Sequence, residues 1–193
     1  MDYEAKTVNE ITTVHSQASY TIDGIEYRSV PAWLISEHKM LKYVIVSKDA
    51  KVLYYNMVGF CENANFMQLW TTPVIADELG YDMNRITKDG FLWIGKSKDG
   101  YFLADRNVTA GDKVALKKVI AATWLSRNDA QTWIGALDDN KFNVKADNLR
   151  WFTQSEYREY IKEIRKKKPV IPFIPAPNLN PNPNFFDYFK PNI

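Results

Sequence analysis

Two pairs of short apolar runs lie between residues 43 and 104, and a polar turn separates the members of each pair. In the first pair, residues 43–46 and 52–55 are rich in valine, isoleucine, leucine and tyrosine. In the second pair, residues 91–94 and 101–104 flank a polar stretch that is bounded by glycines. β-Branched and aromatic residues favour strands, and glycine permits the positive φ angles of tight turns. The pattern therefore predicts two β-hairpins.

From Asp112 onwards the apolar residues follow a helical period instead. One face of this predicted helix carries Leu116, Val119, Ile120, Thr123 and Trp124. Either Asp112 or Thr109 is available as its N-cap, because a short polar side chain can accept a hydrogen bond from the first free amides of a helix. We expect a helix of roughly three turns.

A last helix is predicted from about residue 153 to residue 168, where a run of cations and then Pro169 mark its end. Its apolar stripe consists of Tyr157, Tyr160, Ile161 and Ile164. Between the two helices, residues 133–137 suit a short strand, and residues 138–148 suit an ordered polar loop. The chain before residue 27 has little periodicity, which predicts an arm or a short hairpin around Asp23 and Gly24.

The C-terminal stretch, residues 169–193, holds seven of the nine prolines together with five asparagines and five aromatic residues. Proline excludes regular helix and sheet, so this tail is expected to be extended. Two alternatives carry equal weight: a solvated tail, or a peptide that docks in a groove of its own domain or of a protein partner. The candidate docking residues are Phe173, Phe185, Phe186, Tyr188 and Phe189.

The composition indicates a cellular compartment and shows that charge is distributed unevenly along the chain. A single cysteine, Cys61, cannot form an internal disulfide and suits a reducing cytoplasm. The charged N-terminus lacks the apolar core of a signal peptide, and no run approaches the roughly 20 apolar residues of a membrane span, so no membrane association is predicted. The formal net charge is only +2, but residues 113–168 contain thirteen Lys or Arg against seven Asp or Glu, a local +6, and the remainder has 12 against 16, or −4. The excess of cations is therefore confined to one contiguous segment.

A distinctive order of motifs lies within this basic segment. The helix with residues 119–125 precedes a loop with Leu137-Asp138-Asp139-Asn140 and Asn143, and the block Asn148-Leu149-Arg150-Trp151 and Thr153 follow it. This order resembles the HNH homing-type endonucleases that are common in phage genomes. Those proteins carry a similar helix, a hydrophobic-Asp-Gly-Asn loop with a second Asn shortly after, and Asn-Leu-Arg-Trp with a Thr two residues on. Asp139 stands where that family has glycine.

A weaker similarity extends upstream. Trp33 and residues 44–52 resemble the small NUMOD-like β module that often precedes phage HNH domains, with Ala50 where that module prefers glycine. Residues 89–101 resemble the hairpin that leads into the HNH helix. The resemblance implies an α+β fold in four parts: an N-terminal arm (1–32), a β-rich NUMOD-like module (33–111), a degenerate ββα-metal, HNH-like domain (112–168) and an extended Pro/Asn-rich tail (169–193).

The resemblance also indicates that the family's chemistry has been lost. A ββα-metal site needs a base that activates water and a metal ion that polarises the scissile phosphate. The position of the general-base histidine falls at Ala136, the adjacent metal ligand at Gly135 and the helix ligand at Tyr157. Alanine and glycine offer no side-chain donor, and tyrosine on an apolar stripe is a poor ligand for a hard metal. The implied protein is not an enzyme, has no catalytic residues and needs no metal or other cofactor.

Four polar residues of the motif are retained: Asp138, Asn140, Asn143 and Asn148. In the family, such asparagines mainly hold the loop through hydrogen bonds from side chain to backbone. We therefore expect the loop to keep its shape without the catalytic groups. His15 and His38 share no ligand spacing with this loop or with each other, so surface or packing roles are expected for both.

Binding of double-stranded DNA is the first functional hypothesis, because the family grips duplex DNA and the segment is basic. The candidate phosphate contacts are Lys117, Lys118, Arg127, Lys141, Lys145, Arg150, Arg158, Lys162, Arg165, Lys166, Lys167 and Lys168. Trp133 and Trp151 are candidates for contact with a groove. The opposing interpretation is that the charged helix end is only solvated and that Arg150 and Trp151 have structural roles.

The second hypothesis is a structural or adaptor protein of a phage particle or assembly, docked through the tail. The modest overall charge favours it. An active nuclease with a relocated metal site ranks lowest, because no alternative base lies near the loop. The resemblance places the protein in the host cytoplasm or, alternatively, in the phage virion.

Overall fold

The computed structural model describes residues 19–55, 66–86, 92–105 and 112–167. These residues form a mixed α+β fold, as the sequence predicts, with antiparallel sheets and few helices. His15, Cys61, Thr109 and the whole tail lie outside the described residues.

The first sheet has five antiparallel strands that are adjacent in sequence order. They are β1 (Ser19–Ile22), β2 (Ile25–Ser29), β3 (Val44–Ser47), β4 (Val52–Tyr55) and β5 (Phe66–Gln68). The hairpin predicted around Asp23 and Gly24 is present as β1 and β2, and the first predicted pair of strands is confirmed as β3 and β4. Because β2 also pairs with β3, the N-terminal hairpin is part of this sheet.

Short helical segments connect these strands. Helix α1 (Ala32–Glu37) and a 3₁₀ turn (Lys39–Tyr43) link β2 to β3. Helix α2 (Pro73–Leu79) follows β5, and a second 3₁₀ turn (Met83–Arg85) comes after it. The α2 helix ends at Gly80, whose φ of 66° is the left-handed conformation common at helix C-termini.

The second sheet contains β6 (Leu92–Ser97), β7 (Gly100–Asp105) and β8 (Lys113–Ala115). The second predicted hairpin is confirmed as β6 and β7, although its turn is shorter than predicted. The expected helix begins later, as α3 (Leu116–Trp124), because residues 113–115 pair with β7 instead. The prediction that Asp112 caps this helix is therefore wrong. Ala115 is the N-cap residue and makes no side-chain hydrogen bond there. The Asp112 carboxylate instead lies 2.5 Å from His38 Nδ1.

Helix α3 lies at the centre of the fold. Its buried residues are Leu116, Val119, Ile120 and Ala121, and it contacts β2, β3, β7, β8, β9 and β10. One continuous cluster of buried apolar side chains extends from Val30 to Trp151 and includes these residues. The cluster therefore crosses the boundary predicted at residues 111 and 112, and the division of the chain into four parts stays a prediction.

The last part of the described chain is a hairpin followed by a helix. It consists of β9 (Trp133–Ala136), a 3₁₀ turn (Ala146–Asn148), β10 (Leu149–Phe152) and α4 (Gln154–Lys167). The predicted short strand, ordered loop and final helix are each present within two residues of their expected bounds. In the described part of the chain, no helix is long and apolar enough to cross a membrane.

Candidate nucleic-acid interface

Strands β9 and β10 are antiparallel, and their register sorts the side chains onto two faces. Gly135 lies opposite Arg150, and Trp133 lies opposite Phe152. Because side chains alternate along a strand, these four residues share one face, which α4 covers in part. The other face packs towards α3, where the indole nitrogen of the buried Trp151 donates to the Ala121 carbonyl.

The loop between the strands is held by the side chain of Asn148. Its carbonyl oxygen accepts from the Asp138 amide at 3.1 Å, and its amide nitrogen donates to an Asp138 carboxylate oxygen at 2.9 Å and to the Asn143 carbonyl at 2.7 Å. Asn143 donates to the other Asp138 oxygen at 2.7 Å. The Asn140 side chain accepts from the Phe142 amide at 3.0 Å. The retained polar residues thus form one network that defines the loop, as the resemblance implies.

Asp138 is a structural carboxylate in this network. Partial burial raises the pKa of Asp138, but the donors Asn143 and Asn148 and the backbone amides of Asn140 and Asp138 lower it by more, so its pKa lies below the ordinary value. Its neighbour Asp139 has a φ of 59°, which fits a position where the HNH family has glycine. Ala50, where the upstream module prefers glycine, likewise has a φ of 64°.

Helix α4 begins with a reciprocal cap. The Thr153 hydroxyl accepts from the Glu156 amide at 3.3 Å, and the Glu156 carboxylate accepts from the Thr153 amide at 2.7 Å. This Thr-x-x-Glu capping box fixes where the helix starts relative to β10. Hydrogen bonds from the Thr153 amide and hydroxyl hold the pKa of Glu156 below its usual value.

Aromatic side chains fill the place where the resemblance puts the metal site. Phe152 lies 4.9 Å from Tyr160 and 6.0 Å from Tyr157, and Trp133 stacks on Tyr157 at 5.1 Å, measured between ring centroids. We call Trp133, Phe152, Tyr157 and Tyr160 the aromatic cluster.

The aromatic cluster leaves no space for a ligand at Gly135. A Cβ atom there would lie 2.9 Å from Phe152 Cε2 and 3.0 Å from Tyr160 Cε1. The carbonyl of Ala136 accepts a hydrogen bond from the Tyr160 hydroxyl. Gly135, Ala136 and Tyr157 therefore do not fit a ββα-metal centre. In the described residues, no group of three or more His, Cys, Asp or Glu side chains is arranged to hold a metal ion.

A small cleft lies between α3, β9 and α4. Its volume is about 80 Å³, and its lining includes Lys117, Lys141, Tyr157 and Ile161. This volume admits a few water molecules and is far below the roughly 300 Å³ of a small-molecule site. Binding at this part of the molecule is therefore a property of its surface.

The candidate cations do not all face the same way. Lys118 pairs with Glu37 of α1 at 2.7 Å, and Lys145 lies 4.0 Å from Asp49 in the turn between β3 and β4. Arg127 lies against Trp33, with its guanidinium carbon 4.1 Å from the ring centroid. These residues contact the N-terminal half of the chain, so part of their positive charge already interacts with acidic or aromatic side chains of the protein itself.

Other candidates lie around the hairpin and α4. Arg150 is exposed on the face it shares with Trp133, lies over the Phe152 ring at 5.1 Å and pairs with Glu156 at 3.9 Å. Lys141 lies 5.8 Å from the Phe142 ring centroid. Lys166 is exposed near the end of α4, and the side chain of Lys167 and all of Lys168 lie outside the described residues.

The α4 helix separates its charges by face. Tyr157, Tyr160, Ile161 and Ile164 are half-buried and form the apolar face that was predicted. The exposed cations Arg158, Lys162 and Arg165 follow at spacings of four and three residues, which places them in one row along the helix. Glu156, Glu159 and Glu163 follow at spacings of three and four residues and form a row on the other flank. The two rows meet at one point, where Lys162 pairs with Glu159 at 2.8 Å. We call the first row the cationic flank.

Sequence reasoning missed a second cationic group, near β2. The Arg28 guanidinium lies 4.3 Å from the centroid of the Trp124 ring, and the Lys48 ammonium lies 5.2 Å from it. The adjoining cleft of about 430 Å³ is lined by β1, β2 and the end of α3 and includes the Ser29 side chain. No local sequence motif predicts this group, because its members are brought together by the pairing of β2 with β3 and by the packing of α3 against both strands.

Of the two tryptophans predicted to contact a groove of DNA, only Trp133 is exposed enough to do so. Trp151 is only 3% exposed and packs in the core, so it cannot contact a groove. Trp133 is 45% exposed. The tail residues Phe173, Phe185, Phe186, Tyr188 and Phe189 lie outside the described residues.

Comparisons with known proteins leave the family open. Neither a protein-family model, nor a curated protein, nor a solved structure matches this chain.

Proposed function

We propose that this protein binds double-stranded DNA without cutting it, on the scaffold of an HNH endonuclease that has lost its catalytic groups. The observation that carries the proposal is the cationic flank of α4. Its three cations lie on one exposed flank of a helix whose other flank is acidic, so that flank is the side of α4 that best suits a polyanion. Arg158 and Arg165 have no acidic partner among the ion pairs of the described residues, and Lys162 also pairs with Glu159.

The spacing of the flank suits a phosphate backbone. Arg158 and Arg165 are seven residues apart, which corresponds to about 10 Å along a helix. A DNA duplex carries roughly six phosphate charges over that length. Each cation can therefore reach a separate phosphate. Arg150, which is exposed in β10 and lies 3.9 Å from Glu156, is a further candidate contact from the hairpin.

The loss of catalysis rests on the aromatic cluster. Restoration of a ligand at Gly135 would require Phe152 and Tyr160 to move, because both rings lie within about 3 Å of the missing Cβ position. The loop network has no catalytic role in this proposal and holds the loop between β9 and β10.

The test is duplex binding across a salt series, with Mg²⁺ present so that nicking of plasmid DNA is read in the same samples. Each phosphate contact contributes about 0.9 to the slope of log K against log salt. The triple variant Arg158→Gln, Lys162→Gln, Arg165→Gln should therefore weaken binding and reduce the slope by between two and three. The matched control, Glu163→Gln, changes the other flank without touching the ion pair between Lys162 and Glu159, and should bind at least as tightly as the wild type.

Absence of binding near physiological salt, or binding that is insensitive to salt, would sink this proposal. It would favour the structural or adaptor role, in which the tail contacts a protein partner. Plasmid nicking that depends on Mg²⁺ would instead support the third hypothesis, an active nuclease.

A further inference from the structure

Trp133 is an exposed indole with a fixed orientation. It is 45% exposed, although one face of its ring stacks on Tyr157 with an interplanar angle of 22°. Because Tyr157 covers one face of the ring, the 45% exposure of the side chain means that much of the other face is open to solvent. Exposure of a large aromatic surface opposes folding, so packing does not explain this side chain.

The support beneath the indole is rigid. Tyr157 also contacts Phe152 and Tyr160, at 6.0 Å in each case, and Phe152 is 4% exposed. Trp133 itself lies in β9, directly opposite Phe152 in the ladder. The indole is therefore held before any ligand arrives, which lowers the entropic cost of binding.

Arginines lie next to the aromatic cluster, and the Arg150 guanidinium carbon is 5.1 Å from the ring centroid of Phe152, the residue opposite Trp133. Arg150 lies on the same face of the hairpin as Trp133, two residues before Phe152. Arg158, the first residue of the cationic flank, directly follows Tyr157. An aromatic platform beside a row of cations is the arrangement by which proteins bind unpaired nucleotides, since bases stack on the ring and phosphates contact the cations.

We propose that Trp133 stacks on an unpaired nucleobase, and that Arg150 and Arg158 contact the phosphates on either side of it. This inference rests on the proposed function and specifies its ligand: DNA with an extrahelical base is bound more tightly than the same duplex fully paired. Stacking is tolerant of sequence, because every base has an aromatic face.

The test uses the full chain and three labelled duplexes of one sequence, followed by fluorescence anisotropy. The first duplex is fully paired, the second carries a single bulged thymine, and the third carries an abasic bulge at the same place. The bulged thymine should bind roughly tenfold more tightly than the paired duplex. The abasic bulge should lose most of that gain, because it bends the DNA equally well but offers no base.

Variants of Trp133 test whether its indole causes the preference for the bulged thymine. Trp133→Ala should bring the ratio of the affinities for the bulged and the paired duplex close to one, and Trp133→Phe should retain part of the preference. Leu137→Ala is the matched control, since Leu137 is also apolar, 54% exposed and next to the end of β9. Thermal unfolding of each variant checks that the fold is intact.

The two proposals fail in different ways. If none of the three duplexes binds, the proposed function itself is wrong. If all three bind equally, or if Trp133→Ala keeps the preference for the bulged thymine, only the stacking inference is overturned.

Discussion

At the scale of single residues, Asn148 has the largest structural role near the candidate interface. Its side chain is 9% exposed and makes hydrogen bonds to Asp138 and Asn143 in which it both donates and accepts. An amide can do both at neutral pH, whereas a carboxylate has no proton to donate. The shape of the loop therefore depends largely on this one amide.

We expect Asn148→Asp to destabilise the protein by at least about 2 kcal/mol at pH 7, because it removes a donor and faces one carboxylate with another. The pKa of Asp138 is lowered in the folded state, so its stabilising contribution is present above about pH 4 and is lost as the pH falls further. In the variant, repulsion between the two adjacent carboxylates raises the pKa of the pair, so the pair takes up a proton as the pH falls and the repulsion is relieved. Urea unfolding should therefore show the gap between variant and wild type narrowing from pH 7 to pH 3.

Asn140→Asp is the control for this experiment. The Asn140 side chain only accepts a hydrogen bond, from the Phe142 amide, and a carboxylate can do the same. Its stability should stay close to that of the wild type at pH 7. An equal loss in both variants would show that added charge in the loop, and not the lost donor, is responsible.

Substitution of Gly135 tests how tightly the aromatic cluster is packed. Gly135→Ala should cost about 1–3 kcal/mol, because the added methyl group meets Phe152 and Tyr160 at distances shorter than van der Waals contact. Denaturant unfolding of a double-mutant cycle with Tyr160→Ala measures the coupling, and the cost should shrink once the Tyr160 ring is gone. A neutral Gly135→Ala would mean that the site has room for a larger ligand.

At the scale of elements, the hairpin of β6 and β7 is joined to the loop after β9 by a close backbone approach. Gly100 has a φ of 117°, and a Cβ atom there would lie 2.8 Å from the Lys141 carbonyl oxygen. Glycine is thus required twice, for its conformation and for the contact. This contact links the second sheet to the loop that Asn148 organises.

A pair of glycine variants separates these two requirements. Gly80→Ala meets no atom within 4 Å and should cost only the backbone penalty of about 1 kcal/mol for a left-handed residue. Gly100→Ala should cost at least about 2 kcal/mol, since strain and steric overlap add. Thermal and denaturant unfolding give both values, and equal losses would contradict the close approach to Lys141.

At the scale of the whole molecule, the hairpin and α4 depend on the N-terminal half. The Trp124 indole donates to the Val46 carbonyl at 3.1 Å, and the Ala146 amide donates to the Lys48 carbonyl at 2.8 Å. The buried residues of α3 belong to the same core cluster as Val44, Val46, Val52 and Tyr54 of β3 and β4. The region that resembles an HNH domain is therefore packed as part of a larger unit.

We expect a fragment of residues 112–168 to lack a cooperative unfolding transition. Separation from β3 and β7 would expose Leu116, Val119 and Ile120, each of which contributes about 1.5–3 kcal/mol when buried. Circular dichroism melts and amide dispersion in NMR spectra are the measurements, with a chain of residues 19–168 as the control that should melt cooperatively. A folded 112–168 fragment would restore the domain boundary predicted at residue 112.

Several of the strands and helices can be predicted from local sequence patterns. The hairpins of β3 with β4 and of β6 with β7, the helix α3 and the helix α4 with its apolar stripe are all encoded by residues close in the chain. The start of α3 was misplaced because residues 113–115 are recruited by β7, and local capping preferences carry no information about a distant strand.

Spacings of a few residues predict the hairpins of β3 with β4 and of β6 with β7, the helices α3 and α4 and the Asp138 loop, but they did not predict β5, β8, α1 or α2. Tertiary structure alone decided that Trp151 is buried while Trp133 is exposed, that Arg28 and Lys48 meet at Trp124, and that Gly135 has no free space. Those outcomes depend on which faces pack together, and residues far apart in the chain set that packing through the shared core.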